Sequence, residues 1–151
     1  MLGKLTRNQI EDLLKRSTVG RIGVTADGRT YVVPVTFVYD GSSVYGHSAV
    51  GKKIEMMRSS PAVCFEVDEI ADMANWKSVI AWGRYEELTG ALAVAAAKLI
   101  AARLGPLTTS ATAGPSGRAP RGRAQVSYRI RLGDRSGRFE RQAKERSGGK
   151  R

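Results

Sequence analysis

The stretch "VYGHSAVGKKIEMMRSSPAVCFEVDE", Val44 to Glu69, holds the single histidine, His47, and the single cysteine, Cys64. Between them a lysine pair, Lys52 and Lys53, directly follows Gly51. "GKKIEMMRSS" predicts a short helix with Ile54 and Met57 inward, ending before Pro61. A helix start offers free N–H groups and a partial positive charge, so an anion is favoured there. Two ammonium groups strengthen that field, and Ser48 adds a hydroxyl donor from the end of the preceding strand. The chemistry this arrangement suits is phosphate binding. Gly-Lys-Lys is also a common tripeptide, and an exposed basic turn is the plain alternative. Cys64 reads as a buried, inert thiol in mid-strand. One Cys and one His cannot assemble a structural zinc site within one chain, so no metal is expected.

The elements that must position these residues follow from pattern. "LTRNQIEDLLKR" predicts an opening helix, with Thr6 and Gln9 at capping-box spacing and Leu5, Ile10, Leu13 and Leu14 on one face. "VGRIGVT", "RTYVVPVTFVY" and "SSVYGHSA" predict three strands, joined by type I′ turns at Asp27-Gly28 and Asp40-Gly41. Pro34 cannot donate to a ladder and marks a bulge or a departure from the neighbouring strand. "AVCFEVDE" and "WKSVIAWGRYEEL" continue the strands. Val63, Phe65 and Val67 share one face, and Trp76 and Trp82 share a face by parity, for packing in a core or a dimer.

An alanine-rich helix runs from near Thr89 to Gly105, and a Gly/Pro/Ser-rich loop over 106–123 is expected to be mobile and to influence substrate choice. "AQVSYRIRL" is the last strand, and "DRSGRFERQAKERSGGKR" is expected to fray. Six antiparallel strands with short flanking helices predict a mainly β (α+β) small barrel. The division expected is a domain over 1–136 and a basic, disordered tail over 137–151.

Composition narrows the function classes. At 42% apolar and 26% charged the chain reads as a soluble domain. Ala91 to Leu104, interrupted by Lys98 and Arg103, is too short to span a bilayer. With no apolar leader and one cysteine, a cytoplasmic location is expected. The net charge of +11 is concentrated from Arg118 onward. Only Tyr128 and Phe139 alternate with the basic residues there, so a solvated tail is favoured and nucleic acid is not expected as a partner. A nucleic-acid-associated protein using this tail is the rival from another class.

The segment "VGRIGVTADGRTYVVPVTFVYDGSSVYGHSAVGKKIEMMRSSPAVCFEVDE" followed by "WKSVIAWGRYEEL" resembles the FMN-binding split β-barrel of the pyridoxamine 5′-phosphate oxidase-like superfamily. It is most similar to the subgroup of small flavoproteins and nitroimidazole-resistance proteins. The resemblance implies a six-stranded antiparallel split β-barrel, a homodimer, and FMN at the dimer interface. It implies that Lys52 and Lys53 hold the FMN phosphate and that His47 and Ser48 line the cofactor. Pro34, Val35 and Thr36 would run their backbone beside the ring. Lys77 and Ser78 would contact flavin from a neighbouring strand, of the same or of the other subunit. His47 is the candidate catalytic residue, placed to stack near the ring, to donate a proton during reduction or to ligate a haem iron, with a structural histidine as the plain alternative.

The activity implied is an FMN-dependent oxidoreductase acting on a small organic substrate, with a transient nicotinamide reductant. The alternatives are a split barrel that binds haem, the deazaflavin F420 or flavin without turnover. "RLGDR", Arg131 to Arg135, is similar to an Arg-Leu-His-Asp-Arg motif of the true oxidase, but glycine replaces the histidine. Pyridoxamine 5′-phosphate is therefore not the expected substrate.

Overall fold

The computed structural model describes residues 1–105 and 124–143. Strand β1 (Leu2–Lys4) leads into helix α1 (Arg7–Arg16). Strands β2 (Val19–Ala26), β3 (Arg29–Thr36), β4 (Val38–Tyr39) and β5 (Ser43–Ala49) follow, then helix α2 (Lys52–Ser59). Strands β6 (Ala62–Asp72) and β7 (Asn75–Leu88), helix α3 (Gly90–Leu104) and strand β8 (Gln125–Glu140) complete the order.

The strands form one antiparallel sheet in the order β3-β2-β6-β7-β8-β5-β4, with β1 on β8. The two ends of that path, β3 and β4, are consecutive in the chain and are joined by Phe37 alone. Thr36 and Val38 are two Cα steps of about 3.8 Å apart, so the sheet must curl until its edges meet there. The ladder itself does not close, and that is the split of a split barrel. Phe37 turns into the core, 1% exposed, with its ring edge-on to Phe65 at 4.9 Å. Leu13 and Leu14 of α1 are fully buried in the same core.

The expectation of a mainly β split barrel with short helices is met, with eight strands where six were expected. The long strand expected over 29–39 breaks at Phe37 into β3 and β4, and Leu2–Lys4 adds β1. The capping box of α1 is present: Thr6 Oγ1 accepts from Gln9 N–H, and Gln9 Oε1 accepts from Thr6 N–H at 2.8 Å. Asp27 and Gly28 both adopt positive φ, 52° and 72°, as the hairpin turn requires.

The second turn differs. Only Gly41 has positive φ, and the Asp40 carboxylate holds the turn by accepting from the N–H groups of Ser42 and Ser43. Pro34 makes no bulge. The β2–β3 register is unbroken, and Pro34 lies on an edge strand, where a missing donor is tolerated.

β8 is longer than expected. It runs through Asp134–Glu140, paired to β7 on one side and at its end to β1 on the other. The expected boundary at 136 thus falls inside a strand, held by pairing rather than by an apolar period. At Gly137 a Cβ would come within 2.8 Å of Leu5, so close packing of α1's approach selects glycine there. The expected loop 106–123 and the last residues, 144–151, lie outside the described residues. Among the described residues no helix is long and apolar enough to cross a membrane.

Candidate functional site

Helix α2 begins at Lys52 because Gly51 is extended at its N-cap. Gly51 supplies no side-chain cap, so the first N–H groups of the helix lack the partner that Ser, Thr, Asp or Asn would give. Lys52 and Lys53 occupy the first two helical positions. The Lys52 ammonium stands 5.5 Å from the centre of the Tyr31 ring on β3. Lys53 is half-buried, and burial pushes its pKa below the ordinary lysine value. Neither lysine pairs with a carboxylate among the described residues. A half-buried ammonium without a counter-charge is costly and is relieved by an anion. Ile54 and Met57, fully buried, fix the helix face that presents the pair.

Tyr31 was not foreseen as a site residue. Alternation along "YVVPV" puts it on the inward face with Val33 and Val35, but local pattern carries no sign that α2 crosses over it. Three residues along the same strand begin Pro34, Val35 and Thr36, about 10 Å further at the strand rise. Val35 is buried in the core, while Pro34 and Thr36 are exposed on the opposite face.

His47 and Ser48 do not share a surface. Gly46 faces the core, where a Cβ would meet the Tyr128 hydroxyl at 2.4 Å, and Ser48 shares that side by parity. His47 is exposed on the other side, toward α3, with Nδ1 3.3 Å from Ser127 Oγ.

Lys77 and Ser78 lie on β7, opposite Glu69 and Asp68 of β6. The strand order separates them from β3 by β2 and β6. At about 4.8 Å between strands, that is roughly 14 Å across the sheet. Ser78, Pro34 and Thr36 all sit on one sheet face. Its central rows are Val32–Gly23–Cys64–Trp82 and Pro34–Arg21–Glu66–Ile80. This face carries exposed Val32, Ile80 and Trp82, the last 54% exposed, so Trp82 is not a core residue. Cys64 is half-exposed beside it rather than buried, with its thiol pKa raised by burial and by Glu66.

The acidic residues of β6 do not meet the lysines. Arg21 binds Glu66 at 3.1 Å and Asp68 at 2.9 Å, and Glu69 pairs with Arg16. Asp72 accepts from Ala74 N–H and Asn75 Nδ2 in its own turn. The arginines of "RLGDR" are also engaged. Arg131 pairs with Glu86 at 3.0 Å, and Arg135 pairs with Glu11 at 2.8 Å and donates to Tyr39. The Tyr39 hydroxyl, pushed up to about 12 by burial and by Glu11, donates to that carboxylate. This segment is structural here, consistent with the missing histidine.

The fold is that of a split-barrel protein, with an uncapped, lysine-bearing helix start directly after the end of a strand. The chain belongs to the pyridoxamine 5′-phosphate oxidase family, whose model matches residues 6–139. A FAD-binding protein from Mesorhizobium loti is similar over 92% of this chain and 98% of its own, at 32% identity and TM-score 0.67. A putative 5-nitroimidazole antibiotic resistance protein from Bacteroides thetaiotaomicron shares the fold at 18% identity and TM-score 0.67, over 92% of this chain and 87% of that one. An uncharacterized protein from Rhizobium meliloti (strain 1021) is 34% identical over 84 residues, 56% of each chain. The chain thus matches about half the length of that curated relative.

Proposed function

We propose that the protein is a homodimeric FMN-dependent oxidoreductase acting on a small organic substrate. The observation that carries this reading is Lys53, half-buried and without a carboxylate partner among the described residues, at a helix start with no side-chain cap. Lys52 and Lys53 hold the phosphate, and the uncapped N–H groups of α2 complete the cradle. Ser48 lies on the core side of β5, and its hydroxyl reaches the phosphate by turning from the Ala49 carbonyl, to which it donates at 2.9 Å. The backbone of Pro34, Val35 and Thr36 lies on the edge strand next to Tyr31, where unpaired polar groups are free to meet the polar edge of a flat ring. When bound, the flavin supplies electron or hydride transfer, and the chain supplies binding and orientation.

The uncovered face carrying exposed Val32, Ile80 and Trp82 supports a dimer, because it is apolar enough to pair with a second copy. Ser78 of the partner subunit, on that face, then approaches the cofactor, while Lys77 faces the other side of β7. The Mesorhizobium relative's name favours a second form of the cofactor, FAD, which shares the phosphate nearest the ring. A nicotinamide reductant is expected to visit transiently, and a cytoplasmic location fits.

The test is the cofactor released on denaturing purified protein, identified by mass. FMN supports the reading, FAD corrects it to the dinucleotide, and F420 or haem moves the chain to another cofactor. A colourless protein that takes up no FMN on incubation ends it.

A further inference from the structure

The end of β5 and the C-terminal half of α3 bound a pocket of about 260 Å³, lined by His47, Ala97, Ile100, Ala101, Leu104 and Gly105. Leu104 is 7% exposed and, with Ala96, anchors the helix against the sheet. Among the described residues, all the side chains lining the pocket are alkyl except that of His47. His47 is exposed there, and its Nδ1 is 3.3 Å from Ser127 Oγ, which leaves Nε2 for another partner. The cations of α3 are not in the lining. Lys98 is exposed, and Arg103 donates to the carbonyl of Arg16.

We propose that this pocket binds a small, uncharged aromatic molecule, with one hydrogen-bonding heteroatom met by His47 Nε2. Size sets the first limit. Pockets for drug-sized ligands run from about 300 Å³ upward, so this one suits one or two fused rings. Charge sets the second. A carboxylate or phosphate held against Ala97, Ile100 and Leu104 would lose hydration without gaining a counter-charge from the described residues. The imidazole sets the third. Ser127's hydroxyl can donate to Nδ1 or accept from it, so Nε2 serves as donor or acceptor according to tautomer. The pocket lies on the opposite side of β5 from Ser48, and the inference does not depend on the flavin reading.

The test is calorimetric titration of the full-length protein with indole, and in parallel with indole-2-carboxylate. Saturable one-to-one binding of indole is expected, with the carboxylate at least about tenfold weaker. Ala101→Leu, at an exposed helical position, fills the pocket and removes indole binding while the FMN titration is unchanged. Ala97→Leu repeats the test at a second position should the first variant fold poorly. His47→Ala weakens indole about fivefold, the loss of one hydrogen bond. No saturable indole binding, equal affinity for the carboxylate, or full affinity in both filled variants would overturn the proposal.

Discussion

His47 and Ser48 are consecutive in the chain and face opposite sides of β5. His47 reaches the outer side, within 3.3 Å of Ser127 and against α3, while Ser48 follows Gly46 toward the core side. Strand parity makes this separation unavoidable wherever the strand is regular. A sequence window that groups the two residues describes two surfaces, one continuing to the lysine pair and one belonging to the helix pocket.

The lysine pair gives the first prediction. Lys53→Ala lowers FMN affinity by about tenfold or more, since a desolvated charge-assisted contact to phosphate is lost. Lys52→Ala has a smaller effect, because Lys52 is exposed over Tyr31. The double variant loses most. Flavin fluorescence titration reads the affinity, and unchanged thermal unfolding shows that the fold is intact.

Lys53 also sets a pH dependence. Burial lowers its pKa in the free protein. Phosphate binds the protonated amine and raises that pKa again. FMN affinity is therefore full below the lowered value and falls as pH rises through it, starting below the usual lysine range. Titration at a series of alkaline pH values checks this, and Lys53→Arg should flatten the profile. A wild-type profile as flat as the arginine variant's would reject the assignment.

Stability has an acid limb. Arg129, at 2.7 Å, holds Glu86 below its ordinary value of 4.5. A depressed folded-state pKa contributes stability above the unfolded value and loses it as pH falls through the folded one. The same sign applies to Glu87, held down by Arg58. Unfolding midpoints should therefore drop below about pH 4.5, and Glu86→Gln should destabilise at pH 7 while weakening that drop. Thermal melts from pH 7 to pH 3 read both effects.

The uncovered sheet face predicts an oligomeric outcome. Trp82→Glu places a charge on the apolar face, at the β7 end of the row Val32–Gly23–Cys64–Trp82, and should give monomer in sedimentation, with FMN affinity reduced because the proposed contact from Ser78 of the partner subunit is lost. A variant that stays dimeric would exclude this face as the interface.

The α1 cap is a control for local structure. Thr6→Ala removes the bond to Gln9 N–H and should cost about 1 kcal/mol, read as a lower denaturation midpoint with unchanged FMN binding.

Much of the fold was legible because it is local. The capping box at Thr6 and Gln9, the Asp27-Gly28 turn and the buried set Val63, Phe65 and Val67 each rest on residues within a few positions of one another. The Gly51-Lys52-Lys53 helix start was legible for the same reason. Three features were not. The continuation of β8 through Asp134–Glu140 has no apolar period and exists because β7 and β1 offer it edges. The break at Phe37 follows from sheet closure, which no window of sequence displays. The engagement of Arg131 and Arg135 depends on Glu86 and Glu11, far away in the chain.

By itself the sequence determined most of the helices and strands, though not β1 or the end of β8, and which short stretch carries paired ammonium groups, since period, caps and turns act over a few residues. Tertiary structure alone decided that Lys53 lacks a counter-charge, that Tyr31 lies beneath Lys52, and that His47 turns to α3. Those facts depend on which distant elements the curled sheet brings together, and no local propensity encodes that.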